Sequence, residues 1–135
     1  MEVGKFVTNK WMYMWLILVL VPIVAPIAPS IEGKLLPVTT RLNIVDSRVS
    51  NGMTTMYVEF TKRRDCRFLG LTWYQDETRL PVFFLDDGDD SDMSRPPGDQ
   101  IAGPWMVGTE DISGTVVRVS HRCHPFWETH TVIFP

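Results

Sequence analysis

Three groups of side chains in this 135-residue chain are of types that can do chemistry. The first is His121-Arg122-Cys123-His124, with His130 seven residues beyond Cys123 and Cys66 far upstream. Imidazole and thiolate are ligands that zinc prefers. In a regular strand, however, His121 and Cys123 point to one side and His124 to the other, and a disulfide between the two cysteines would consume both sulfur ligands. The reading favoured here is a core His121 hydrogen-bonded to backbone, with His124 and His130 in solvent. The second group is an acidic run, Asp86, Asp87, Asp89, Asp90 and Asp92, whose carboxylates are the hard oxygen ligands that suit calcium. No starting aspartate has both the glycine and the glutamate that an EF-hand loop requires. A loose calcium site and a solvated acidic loop both remain open, and no metal is assigned. The third group is aromatic: Trp73-Tyr74, Phe83-Phe84, Trp105 and Phe126-Trp127. Most of these rings belong in a core, but Pro125-Phe126-Trp127 falls at a predicted turn, where an exposed ring can contact a protein or a glycan.

A catalytic constellation is missing from the sequence. It has no Gly-x-Ser-x-Gly elbow, no phosphate-cradling glycine loop and no acid and base pair singled out by spacing. A Cys–His nucleophile would conflict with a cysteine bridge. No catalytic residue, cofactor or enzymatic activity is therefore expected. Nucleic acid is excluded as a partner on charge. Removing Lys5, Lys10 and Glu2 from the totals leaves 11 basic and 15 acidic residues in the remainder, a net charge of −4, whereas a polyanion binder needs a concentrated basic surface. The one basic run, Lys62-Arg63-Arg64, is followed at once by Asp65 and reads as a solvated strand end.

The element that must position everything else is the charge-free stretch from Trp11 to Ala28, which continues uncharged to Ile31. As a helix, Trp11–Ile31 spans the roughly 30 Å hydrocarbon core of a bilayer. Trp11, Tyr13 and Trp15 form an aromatic collar at its start. Pro22 and Pro26 predict a kinked or shortened span. A retained signal anchor is favoured over a cleaved signal peptide. The run is longer than a signal-peptide core, and cuts after Ala25 or Ala28 would place Pro26 or Pro29 next to the broken bond. Flanking charge hardly sets the orientation, since Lys5 and Lys10 precede the run and Lys34 and Arg41 follow it. The cysteine pair does more, because disulfides persist outside the cytoplasm. Cys66 and Cys123 are read as one bridge, with free thiols or metal ligands as alternatives. The expected organisation is a cytoplasmic segment 1–10, a membrane span 11–31, a linker 32–38 and an extracytoplasmic domain 39–135, periplasmic or extracellular.

Past Glu32, alternating and β-branched runs recur between turn signals, an all-β pattern. Strands are predicted at Thr39–Asp46, Thr54–Thr61, Cys66–Tyr74, Arg79–Leu85, Pro104–Gly108, Gly114–Cys123 and Glu128–Phe134. Asn51-Gly52 marks a hairpin turn. The alternation turns Met56, Val58 and Phe60 inward, and likewise Val117, Val119, His121 and Cys123. Lys62 and Arg64 do not suit a core, which predicts a bulge or turn at Arg63 to Asp65. Asp86–Gln100, with six aspartates, two prolines and two glycines, is expected as a long exposed loop.

Cys66, Trp73 and Cys123 recur in the order in which immunoglobulin-like sandwiches carry a first cysteine, a core tryptophan and a second cysteine, and in this respect the chain resembles membrane-anchored members of that family. Trp73 follows Cys66 by only seven positions, and His121 stands where the family usually has a tyrosine, two residues before the second cysteine. The resemblance covers the part from about Thr39 on and implies a small disulfide-pinned β-sandwich without activity of its own. The function expected is that of a single-pass, membrane-anchored, non-enzymatic binding or structural module. Its partners would be the lipid bilayer through Trp11–Ile31 and an envelope or cell-surface protein or glycan. Two alternatives are a small lysis or pore-forming protein with the apolar segment as effector, and a secreted protein with a cleaved signal peptide.

Overall fold

The computed structural model describes residues 10–85 and 94–135, and in them one helix leads into two antiparallel sheets. The helix, α1 (Lys10–Leu35), is long and apolar enough to cross a membrane, a test that a signal sequence also passes. It is apolar all round, so it has no stripe to lay on a core, and its side chains from Lys10 to Ile27 are exposed. Pro22, Pro26 and Pro29 lie inside it, yet the helix is neither broken nor shortened. Proline's fixed φ is already helical, and what each ring removes is a backbone donor. The helix also continues past Ile31. Residues 32–38, expected as a linker, complete the helix and carry the chain onto the β domain, where Gly33 and Val38 are buried.

The strands are β1 (Asn43–Ser50), β2 (Met53–Lys62), β3 (Arg67–Gln75), β4 (Thr78–Leu80), β5 (Val82–Phe84), β6 (Gly98–Val107), β7 (Thr115–Arg122) and β8 (Thr129–Phe134). One sheet has the order β1-β2-β6-β5 and the other β4-β3-β7-β8. A shared core joins them. Met56, Val58, Ala102, Trp105 and Val107 come from the first sheet and Trp73, Val117, Val119 and Ile133 from the second. The period-2 alternation explains these faces: Val117, Val119 and His121 are buried while Val116, Arg118 and Arg122 are exposed. Trp73 is fully buried, and its indole N–H donates to Thr115 Oγ1 at 2.7 Å. Asn51 and Gly52 take φ of 54° and 75°, closing the β1–β2 hairpin at Ser50 and Met53.

Several elements differ from expectation for identifiable reasons. The run Arg79–Leu85 is two short strands in different sheets, divided at Pro81, which cannot donate to a ladder. β4 pairs with β3 through a turn at Asp76 and Glu77, both at positive φ without glycine, so the sequence gives no turn signal there. The expected loop Asp86–Gln100 loses its end to β6, which begins at Gly98, because Lys62, Thr61 and Phe60 of β2 pair with Gly98, Asp99 and Gln100. Lys62 is not a solvated strand end. It keeps the inward parity of Met56, Val58 and Phe60 and is only 3% exposed, and its ammonium donates to the carbonyls of Cys66, at 2.8 Å, and Arg95. A buried cation is tolerated when it is hydrogen-bonded in this way. The chain does turn at Arg63–Cys66.

The cysteines form a disulfide, Cys66–Cys123, with Cα atoms 4.5 Å apart. It does not pin one sheet to the other. Cys66 immediately precedes β3 and Cys123 immediately follows β7, and Arg67 and Arg122 are paired neighbours. The bridge therefore clips adjacent strands of one sheet. Cys66 and Trp73 flank and occupy the same strand, which is why so few residues separate them.

Candidate functional site

Among the described residues, a dense polar constellation lies where the helix meets the β domain, and its centre is Glu32, a residue that no motif marks. α1 reaches the domain only with its last turns, since the side chains of residues 10–27 are exposed. There it lies so close to β8 that a Cβ on Gly33 would stand 1.8 Å from the His130 carbonyl oxygen. Glycine at this point lets the helix backbone approach the strand, and the approach swings the neighbouring Glu32 side chain over the start of β8.

Four donors converge on that carboxylate. Oε2 accepts from the Trp127 indole N–H at 2.7 Å and from the Thr129 hydroxyl at 2.9 Å, and His124 Nε2 lies 3.1 Å from it. Oε1 accepts from Arg64 at 2.9 Å, and the same guanidinium nitrogen donates to the Leu36 carbonyl at 3.1 Å. An ionised carboxylate only accepts, so His124 carries a proton on Nε2. Its Nδ1 is buried with no partner among the described residues. Burial alone would raise the Glu32 pKa, but the hydrogen bonds from Trp127, His124, Arg64 and Thr129 together outweigh it and hold the group at about 2. Glu32 lies just beyond the apolar run Trp11–Ile31, in the part of the helix that contacts the β domain.

This chemistry is that of a latch. A carboxylate held near pKa 2 with both oxygens hydrogen-bonded is a poor base at neutral pH. What it does is tie the end of the helix to two distant parts of the chain, the β2–β3 turn and the stretch from His124 to Thr129. Arg64 lies in the β2–β3 turn, His124 and Trp127 in the β7–β8 loop, and Thr129 opens β8. The disulfide is adjacent, with Cys123 Sγ 3.9 Å from the Thr129 hydroxyl. His124 and Trp127 pack edge to face at 4.5 Å between ring centres.

The residues that the sequence singled out are thereby separated. Trp127 is half-buried and belongs to the latch. Phe126 is 81% exposed, with the His124 and Trp127 rings 5.9 and 6.3 Å away. Asp86, Asp87, Asp89, Asp90 and Asp92 lie outside the described residues. Arg95 donates to the Ile101 carbonyl at 3.2 Å. His121 is buried as expected, and among the described residues no hydrogen bond joins its ring to a backbone acceptor. Its ring meets Phe68 edge-on at 5.9 Å, and its Nδ1 lacks a partner among the described residues. Burial, and then the Lys62 charge, push its pKa down to about 4. His124 is half-buried rather than solvated, because Glu32 draws it in. His130 is exposed, with Nδ1 2.9 Å from Ser120 Oγ.

Among the described residues no group of three or more His, Cys, Asp or Glu side chains is placed to hold a metal ion. An open groove between β3, β4 and β5, bounded by Phe68, Leu71, Leu80, Val82 and Phe84, has Arg79 as its one charged lining residue. It offers no convergent set of polar groups. Glu32 and Arg64 were missed by sequence reasoning, although one physical signal existed. Glu32 falls in the last turns of its helix, where the negative end of the helix dipole disfavours a carboxylate unless donors compensate. No family model, no curated protein and no solved structure matches this chain.

Proposed function

We propose that this protein is a single-pass membrane protein that holds a small immunoglobulin-like β domain outside the cytoplasm, against the membrane surface, as a non-enzymatic binding or structural module. The observation that carries this reading is the Glu32 latch. It makes the domain and the helix one continuous unit, and such a union is useful only if the helix stays attached. The positions that resemble a cleavage site support retention as well. Ala28, Pro29 and Ser30 are helical, and Ala28 and Pro29 are partly covered. The disulfide supports an oxidising compartment.

The strand order supports the immunoglobulin-like assignment. The orders β1-β2-β6-β5 and β4-β3-β7-β8 correspond to the ABED and CFG sheets of that architecture with a short strand added beside C. The bridge within one sheet and His121 in place of the corner tyrosine mark this chain as a variant. Its fold brings no activity with it. The helix has no polar stripe with which to line a pore, which favours display over lysis.

Intact mass of the protein extracted from membranes, before and after reduction, tests the reading. The expected result is the full 15.5 kDa chain, gaining two hydrogen atoms on reduction. A chain shortened by its first thirty or so residues and recovered in the soluble fraction would overturn the anchor.

A further inference from the structure

The latch fixes where one end of the domain must sit relative to a bilayer. The groups that α1 contacts, Arg64, His124, Trp127, Thr129 and His130, all belong to the end of the domain where β2 and β7 finish and β3 and β8 begin. The helix meets the domain at that end, and the β7–β8 loop lies beside its last turns. Resting on the anchor reading, we infer that Phe126 is a second membrane contact, seated in the interfacial layer of the leaflet through which the helix emerges.

The distances support this placement. The uncharged run ends at Ile31, and about 1.5 Å of rise separates it from Glu32, so the carboxylate marks the edge of the hydrocarbon. The headgroup layer beyond that edge is roughly 5–8 Å deep on each side. Trp127 touches Glu32 directly, with its indole nitrogen 2.7 Å away, and Phe126 is the adjoining residue, one Cα step of about 3.8 Å along the chain. The loop is thus tied to the helix, just past the end of the uncharged run, by a partly buried hydrogen bond to a carboxylate. Its composition suits that layer. Phe126 offers an almost fully exposed apolar ring, Trp127 is an amphipathic ring of the kind enriched at membrane interfaces, and Pro125 is a rigid, uncharged neighbour. The helix and the loop would then fix the domain at two points and stop it rotating about a single tether.

The test replaces Phe126 with trifluoromethyl-phenylalanine in the full chain reconstituted in lipid nanodiscs, with the same probe at Ile23 in the span and at Arg48, exposed on β1, as references. Fluorine signals are read with a lipid carrying a nitroxide near its headgroup and with a water-soluble gadolinium chelate. The inference predicts that the headgroup nitroxide broadens the signal at position 126 several-fold more than at Arg48, and that the chelate broadens it several-fold less. Equal broadening by the chelate at positions 126 and 48 overturns it, as does shielding of position 126 from both agents, which would mean a protein covers the ring. The Ile23 probe separates the two readings. If Ile23 senses lipid and position 126 does not, the anchor stands and the loop contact fails. If Ile23 senses only water, both fall.

Discussion

Replacing Glu32 with glutamine removes one charge from the junction and almost no volume, so its effect can be worked from the contacts. The carboxylate titrates at about 2 in the folded chain against an ordinary 4.5, and one pKa unit corresponds to about 1.36 kcal/mol, giving about 3 kcal/mol. Arg64 is a third exposed and His124 a quarter, so solvent screening trims this to about 2 kcal/mol. Because the folded-state pKa is the lower one, the contribution is complete above pH 4.5 and disappears as the pH falls towards 2. Two results follow for Glu32→Gln. At neutral pH the equilibrium for releasing the helix end from the domain rises about 30-fold. Below pH 4.5 the wild type loses stability while the variant changes little from this source. Hydrogen exchange of the full chain in detergent reads both, at the Leu36 amide, which donates to the Glu32 carbonyl at 2.8 Å, and across residues 124–129. If the variant keeps wild-type protection factors at neutral pH, the four donors do not hold the helix and the latch is wrong.

Gly33→Ala sets two effects against each other. Helix propensity favours alanine by about 1 kcal/mol, but the new Cβ would meet the His130 carbonyl oxygen at 1.8 Å, and such overpacking costs about 1–3 kcal/mol. The contact should win, and an alanine variant with slower exchange in the last turn would contradict the close approach. Replacing Cys66 and Cys123 together with serine opens a loop of sequence separation 57, for which the chain-entropy model gives about 4 kcal/mol; a urea midpoint unchanged from the oxidised protein would count against any stabilising role. His121 makes stability fall with acid in a higher window. Its folded pKa of about 4 lies below the ordinary 6.5, so as the pH drops from 6.5 to 4 the unfolded chain takes up a proton that the folded chain refuses, at a total cost of about 3 kcal/mol. Urea titrations in that range should slope for the wild type and flatten for His121→Gln, and a flat wild-type profile would refute the burial argument.

The strands that were legible in the sequence are those where burial alternates cleanly. Val117, Val119 and His121 declare their face, and Asn51-Gly52 declares its turn. Elsewhere the alternation was a better guide than residue type. Lys62 carries the same parity as Met56 and Val58 and is buried with them, because backbone carbonyls of two other segments were there to receive its ammonium. Those carbonyls belong to Cys66 and Arg95, and no pattern around Lys62 points to the second. The β3–β4 turn failed to show for a similar reason. Positive φ at Asp76 and Glu77 is imposed by pairing with β3, not offered by the residues themselves.

The latch was hidden more deeply, because its parts are far apart in sequence and each has an ordinary local explanation. Glu32 reads as the first polar residue after an apolar run, Arg64 as part of a basic turn, His124 and Trp127 as loop residues. Only the close packing of Gly33 on β8 brings them together. Phe126 was legible as an exposed aromatic, but its direction was not, since a turn at one end of a domain says nothing about which end faces the membrane. That direction follows from Glu32. A carboxylate one residue beyond the hydrocarbon edge can accept the indole of Trp127 only if the β7–β8 loop is drawn to the helix exit. On the proposed anchoring, the same hydrogen bond that removes Trp127 from the list of free binding residues brings Phe126 towards the lipid.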